Sequence, residues 1–169
     1  MKTLYVLRHA KSSWDDNNLK DFDRPLNHRG EKTAPFIGEV MSRNSFAPGT
    51  IVSSPAARAQ STAELVKKGG GLAAQIRFDI RIYEASPVTL RDVASEISDE
   101  FKSAMIVGHN PGMEGLILFL TGRIESMPTA ALAVIDLDIA GWEDIDARTG
   151  TLRTVIRPKD EMKMLGKVG

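Results

Sequence analysis

Ala104-Met105-Ile106-Val107-Gly108-His109-Asn110-Pro111 is the stretch that decides the fold. Four consecutive apolar residues read as a short strand covered on both faces, as parallel strands are. The run ends at once in a glycine and a histidine. The same arrangement recurs twice upstream. Leu4-Tyr5-Val6-Leu7 leads into Arg8-His9, and Thr50-Ile51-Val52 leads into Ser53-Ser54-Pro55-Ala56-Ala57-Arg58. Two histidines and two arginines are thus delivered to strand ends. Open α/β sheets bind ligands at the carboxyl ends of their strands, and two imidazoles beside two guanidiniums there suit a phosphoryl group.

Working outward, Arg29 to Met41 predicts a helix, although it contains Pro35 and Gly38. Ser54-Pro55 reads as a helix start, with serine as N-cap and proline at the first helical position. That helix runs to about Lys68 and is stopped by Gly69-Gly70-Gly71, read as a loop. Gln75 to Ile82 reads as strand or extended chain, and Pro87 to Asp99 has near-helical apolar spacing. Asn110-Pro111 starts a helix reaching about Thr121, with Asn110 as cap. Leu132 to Leu137 and Leu152 to Ile156 read as two late strands. This alternation predicts a three-layer α/β/α sandwich with a mostly parallel central sheet. The 169 residues suit one domain over 1–169, with a short C-terminal tail from about 159.

Composition excludes several classes of function. Lys+Arg and Asp+Glu are 22 each, so the formal net charge is zero and no nucleic-acid or membrane partner is expected. There are no cysteines, which removes thiolate catalysis and Cys-ligated zinc. The three histidines are His9, His28 and His109, with no His-x-x-x-His pair. No metal and no cofactor are expected, and His28 reads as a loop or helix-start residue. The first apolar run is interrupted by Arg8 after four residues, unlike a secretory leader. The expected location is cytoplasmic. Arg58 is an oddity: a cation in a helix's first turn opposes the dipole there, so an anionic partner is expected.

Leu7-Arg8-His9-Ala10, Ser53-Ser54-Pro55-x-x-Arg58-Ala59-x-x-Thr62-Ala63 and Val107-Gly108-His109-Asn110-Pro111 together resemble the histidine phosphatase superfamily, with its phosphoglycerate-mutase-like fold. Asp23-Arg24-Pro25-Leu26-x-x-x-Gly30 is similar to the segment that follows the first motif in the short SixA-type phosphohistidine phosphatases. The resemblance implies a metal-independent phosphatase in which His9 is the nucleophile and carries a covalent phosphohistidine intermediate. It implies that Arg8, Arg58 and His109 hold the phosphoryl oxygens, and that Arg24 also points at them. Glu84, in Ile82-Tyr83-Glu84-Ala85-Ser86-Pro87, best matches the family's proton donor and reads equally as a solvated loop glutamate. Ser12 and Ser13 read first as ordinary loop serines, and alternatively as offering a hydroxyl or a backbone N–H to the phosphate. Ala10 departs from the glycine that much of the superfamily carries after the nucleophile.

The expected substrate is protein phosphohistidine, because one predicted helix and little else lies between Glu84 and His109 to cover the site. The alternatives are a small phosphomonoester, such as a sugar phosphate or nucleotide, or a non-catalytic phosphate-binding module. The sequence carries no signal for oligomeric state.

Overall fold

The computed structural model describes residues 1–166. Within them one six-stranded sheet is built from β1 (Lys2–Arg8), β2 (Thr50–Ser53), β3 (Ile76–Phe78), β4 (Ser103–Gly108), β5 (Leu132–Leu137) and β6 (Gly150–Ile156). The spatial order is β3-β2-β4-β1-β5-β6. β3, β2, β4 and β1 run parallel, and β5 runs antiparallel to both β1 and β6. The chain therefore ends β1, β2 and β4 along one edge, with Arg8 opposite Gly108 and Ser53 opposite Val107.

The continuous apolar runs serve two cores at once. Side chains alternate across a strand, so Leu4, Val6, Ala104 and Ile106 join one cluster while Tyr5, Leu7, Met105 and Val107 join the other. The first cluster is closed by α3 (Pro87–Ser95) and α4 (Gly112–Thr121), through Leu90, Val93, Leu116 and Leu120. The second is closed by α1 (His28–Arg43) and α2 (Ala57–Gly70), through Ile37, Met41, Ala63 and Val66. A last helix, α5 (Pro158–Met164), occupies the stretch read from sequence as a tail, and its Met162 packs on the second cluster. Among the described residues no helix is long and apolar enough to cross a membrane.

Four local expectations are corrected. Gly69 and Gly70 are the last turn of α2, and the stop is Gly71 alone, left-handed at φ 59°. The two helical glycines serve packing: a Cβ on Gly69 would stand 2.2 Å from the Pro35 carbonyl oxygen, and one on Gly38 would stand 2.2 Å from that of Val66. α1 and α2 thus cross backbone to backbone. Ser54 is not the cap of α2, which begins at Ala57 after Ala56. Likewise α4 begins at Gly112, with Pro111 at the cap position behind a cis Asn110–Pro111 bond. The stretch 75–82 divides into the short β3 and a 3₁₀ turn, Ile80–Ile82.

The segment between β1 and α1 is pinned at its base. The Ser13 N–H donates to the Pro25 carbonyl at 2.8 Å, and that of Asn27 donates to Lys11 at 3.0 Å. Gly30 lets α1 approach this base, since a Cβ there would stand 2.2 Å from the Lys11 carbonyl oxygen. The Asn27 side chain caps α1 by accepting from the Gly30 N–H at 2.9 Å. The distal part of the segment, with a 3₁₀ turn at Asp21–Asp23, is left to reach over the edge where β1, β2 and β4 end.

Candidate active site

His9 follows β1 directly, and its main chain is held on both sides. Its N–H donates to the Gly108 carbonyl at 3.0 Å, and its carbonyl accepts from the Ala130 N–H at 2.9 Å. The ring nitrogen Nδ1 lies 2.7 Å from the Ala10 carbonyl oxygen. Ala10 needs no left-handed backbone, and its methyl group joins the second core cluster. Its N–H donates to Thr62 Oγ1 at 2.9 Å, and that hydroxyl donates to the Arg58 carbonyl at 2.6 Å. One threonine thus ties the turn after β1 to the first turn of α2.

His109 follows β4, and its ring centroid is 5.1 Å from that of His9. Its Nε2 pairs with Ser54 Oγ at 2.8 Å, which is where the misread cap serine is engaged. Burial pushes the His9 imidazole down to about 3, helped by the charges of His109, Arg58 and Arg8. Burial, then Arg58, pushes His109 down to about 4. Both rings are therefore neutral at physiological pH.

The arginines surround these rings. Arg8 Nη1 donates to the Met127 carbonyl at 3.0 Å. The anion expected near Arg58 is Asp21, whose carboxylate accepts from Arg58 Nη2 at 2.9 Å, while its backbone carbonyl accepts from Nη1 at 2.7 Å. Arg24 donates from Nε to Asp21 at 3.1 Å and from Nη1 to Ser12 Oγ at 2.9 Å. Ser12 is therefore the acceptor that seats Arg24. Tyr83 donates its hydroxyl to Asp21 at 2.6 Å and sets its ring edge against His109, centroids 5.4 Å apart. Tyr83 first through its hydrogen bond, then Arg58 and Arg24, hold the Asp21 carboxyl down to about 2.

Among the described residues, three buried side-chain nitrogens find no hydrogen-bond partner: Arg8 Nε, Arg58 Nε and His109 Nδ1. Buried polar groups are almost always paired, and all three orphans belong to residues delivered by the three strand-end motifs. Such a set calls for a multivalent acceptor. Among the described residues no group of three His, Cys, Asp or Glu side chains stands ready to hold a metal ion. These side chains are recessed rather than laid open: His9 is 6% exposed, Arg58 6%, Arg24 7% and His109 8%.

The structure thus links His9, His109, Arg58, Arg24 and Ser12, with Arg8 alongside. Among the described residues, Glu84 touches this network only through Tyr83, whose hydroxyl it meets with its side chain; it is exposed, in a left-handed backbone at φ 55°. His28 is an exposed residue at the start of α1, away from the cluster. Sequence reasoning missed Asp21, Ser54 as a histidine partner, and Tyr83. Asp21 had two available signals: the anion that Arg58 calls for at a helix start, and its place three residues before Arg24 in the segment after the first motif.

Comparison with known proteins agrees with this geometry. The family model of the histidine phosphatase superfamily (branch 1) matches residues 4–106. SixA from Agrobacterium tumefaciens is 29% identical, with a TM-score of 0.80 over 93% of this chain and 98% of that one. The protein histidine phosphatase SixA solved with tungstate is 20% identical, with a TM-score of 0.82 over 94% and 99%, a likeness of fold. A mycobacterial glucosyl-3-phosphoglycerate phosphatase shares the fold at 17% identity and a TM-score of 0.69, over 90% and 97%. The sheet and its two helical layers are those of the phosphoglycerate-mutase-like fold, and the chain belongs to branch 1 of the histidine phosphatase superfamily, as a phosphatase.

Proposed function

We propose that this phosphatase removes phosphate from phosphohistidine on proteins, with His9 as nucleophile. The observation that carries the phosphoryl site is the trio of unpartnered nitrogens on Arg8, Arg58 and His109. A phosphoryl group offers three non-bridging oxygens, and guanidinium and imidazole N–H groups suit them.

The carbonyl of Ala10 only accepts, so Nδ1 of His9 carries the proton and Nε2 keeps its lone pair. Nε2 attacks phosphorus as the bond to the leaving group breaks. Arg8, Arg58, Arg24 and His109 stabilise the charge on the transferring group, the largest contribution expected in such a reaction. Water then attacks the phosphorus of phospho-His9, returning free imidazole and inorganic phosphate.

A phosphohistidine imidazole leaves readily, because its conjugate acid has a pKa of about 6.5. Glu84 is the proposed proton donor for poorer leaving groups. Its left-handed backbone is uncommon for a residue other than glycine, a kind of strain that gathers at working sites.

A protein substrate is favoured by the rim. Trp14, Leu19, Ile80 and Val88 are exposed at 69%, 38%, 62% and 57%, on segments that follow β1 and β3 or open α3. Apolar side chains around a recessed charged site suit a folded partner offering one long phosphorylated side chain.

The test compares turnover of a phosphohistidine protein with a panel of sugar phosphates and nucleotides, each with and without EDTA, in wild type and His9→Ala. Preference for the protein, indifference to EDTA and an alkali-stable, acid-labile phosphoenzyme label lost in His9→Ala are expected. A strongly preferred metabolite would overturn the substrate, and label persisting in the variant would overturn the nucleophile.

A further inference from the structure

An acidic side chain at the edge of a cationic anion site works against ground-state binding, and Asp21, 46% exposed beside the buried Arg58 and Arg24, is such a side chain. Its carboxylate accepts from Tyr83 at 2.6 Å, from Arg58 at 2.9 Å and from Arg24 at 3.1 Å. It is ionised throughout the working range, because these donors favour its charged form. A negative charge at this distance weakens the attraction of both guanidiniums for an incoming dianion.

What the carboxylate supplies is direction. Both terminal nitrogens of Arg58 are bound to Asp21, one to the carboxylate and one to the backbone carbonyl. A guanidinium held along that edge cannot swing, and the nitrogen left over is the orphan Nε. The other carboxylate oxygen holds Arg24 by its Nε, while Arg24 Nη1 reaches Ser12 and the Ser13 carbonyl. The same guanidinium lies 3.4 Å from the centroid of the Trp14 ring. Through Tyr83, whose ring edge meets His109, the carboxylate also bears on the imidazole that carries the third orphan.

We infer that Asp21 is a positioning residue for phosphoryl transfer. It gives up ground-state affinity for phosphate and in return fixes the directions of Arg58 and Arg24 toward the charge that develops at phosphorus. Only interactions stronger in the transition state than in the ground state accelerate a reaction. The assignment rests on the reading of this cluster as a phosphoryl-transfer site, and it holds for any leaving group.

The experiment uses the full chain with p-nitrophenyl phosphate as substrate and inorganic phosphate as competitive inhibitor. In Asp21→Ala, kcat falls about 100-fold, the loss typical of one misplaced transition-state donor, while phosphate inhibits as well as or better than in wild type. In Asp21→Asn the amide oxygen still accepts one guanidinium, so kcat falls only about 10-fold and phosphate binding tightens. That variant carries the test if the alanine variant does not fold. Unchanged kcat would overturn the assignment. So would parallel losses of kcat and phosphate affinity accompanied by a lower melting temperature, which mark a structural role. A wild type that does not turn over p-nitrophenyl phosphate and is not bound by phosphate would instead overturn the reading of this cluster as a phosphoryl-transfer site, on which the assignment rests.

Discussion

Nδ1 of His9 lies 2.7 Å from the carbonyl oxygen of Ala10, the next residue in the chain. The tautomer of His9, the proposed nucleophile, is therefore set by its own main chain, without a carboxylate. Removing the imidazole removes the attacking atom. His9→Gln is expected to lose at least about 1,000-fold in kcat while keeping its melting temperature within a few degrees, checked by phosphatase assay and thermal unfolding.

Acid should destabilise the fold before it protonates the nucleophile. The two imidazoles stand at about 3 and about 4 in the folded chain, against 6.5 ordinarily. Between those values the unfolded chain binds more protons, so stability is full above about pH 6.5 and falls as pH drops toward 4. Each histidine contributes at most about 1.4 kcal/mol per pH unit in that window. Urea midpoints at pH 7 and pH 4.5 measure this, and His109→Gln should remove about half the slope. The acid limb of kcat/KM should correspondingly lie well below 6.5.

Charge alone should not replace Arg58. Its guanidinium meets Asp21 through two nitrogens and retains a third facing no partner. A lysine offers a single ammonium and cannot do both. Arg58→Lys is expected to lower kcat about 100-fold, with a smaller change in KM, by steady-state kinetics.

The need for Glu84 should depend on the leaving group. Glu84→Gln removes a proton donor without changing size. Turnover of an alkyl phosphate, whose alkoxide leaves poorly, should fall about 100-fold, and that of a phosphohistidine protein less than about 3-fold. Equal losses on both substrates would assign Glu84 another role.

The helix crossing should tolerate no methyl group. Gly69→Ala places a Cβ 2.2 Å from the Pro35 carbonyl oxygen. Overpacking of this kind costs about 1–3 kcal/mol, against the small gain that alanine brings to an ordinary helix position. Chemical denaturation of the variant gives the value.

The three strand-end motifs were legible because each is local: an apolar run, then a charged or hydroxyl residue within a few positions. They placed His9, His109, Arg8 and Arg58 on one edge of the sheet. The Ser54-Pro55 pair misled because a cap and a site serine look alike in sequence, and a partner 55 residues away decided between them. Gly69 and Gly70 misled because glycine usually ends helices, and here it lets two helices touch. The pairing of Asp21 with Tyr83 spans 62 residues and two segments without regular strand or helix, so no periodicity announces it. Arg58 hinted at its Asp21 end, as a cation where a helix start wants an anion nearby, and nothing hinted at Tyr83.

β1 lies in the sheet interior between β4 and β5, and the backbone of His9 is fastened to a neighbour on each side. The reactive imidazole thus hangs from a rigid mount, while Arg24, Asp21 and Tyr83 come from connections outside the sheet. Such a division lets the exposed parts of those connections vary without re-aiming the attack. A lineage with this architecture can acquire new clients by rewriting outward residues such as Trp14, Leu19 and Ile80, provided Ala10, Ser12, Asp21, Arg24 and Tyr83 are kept.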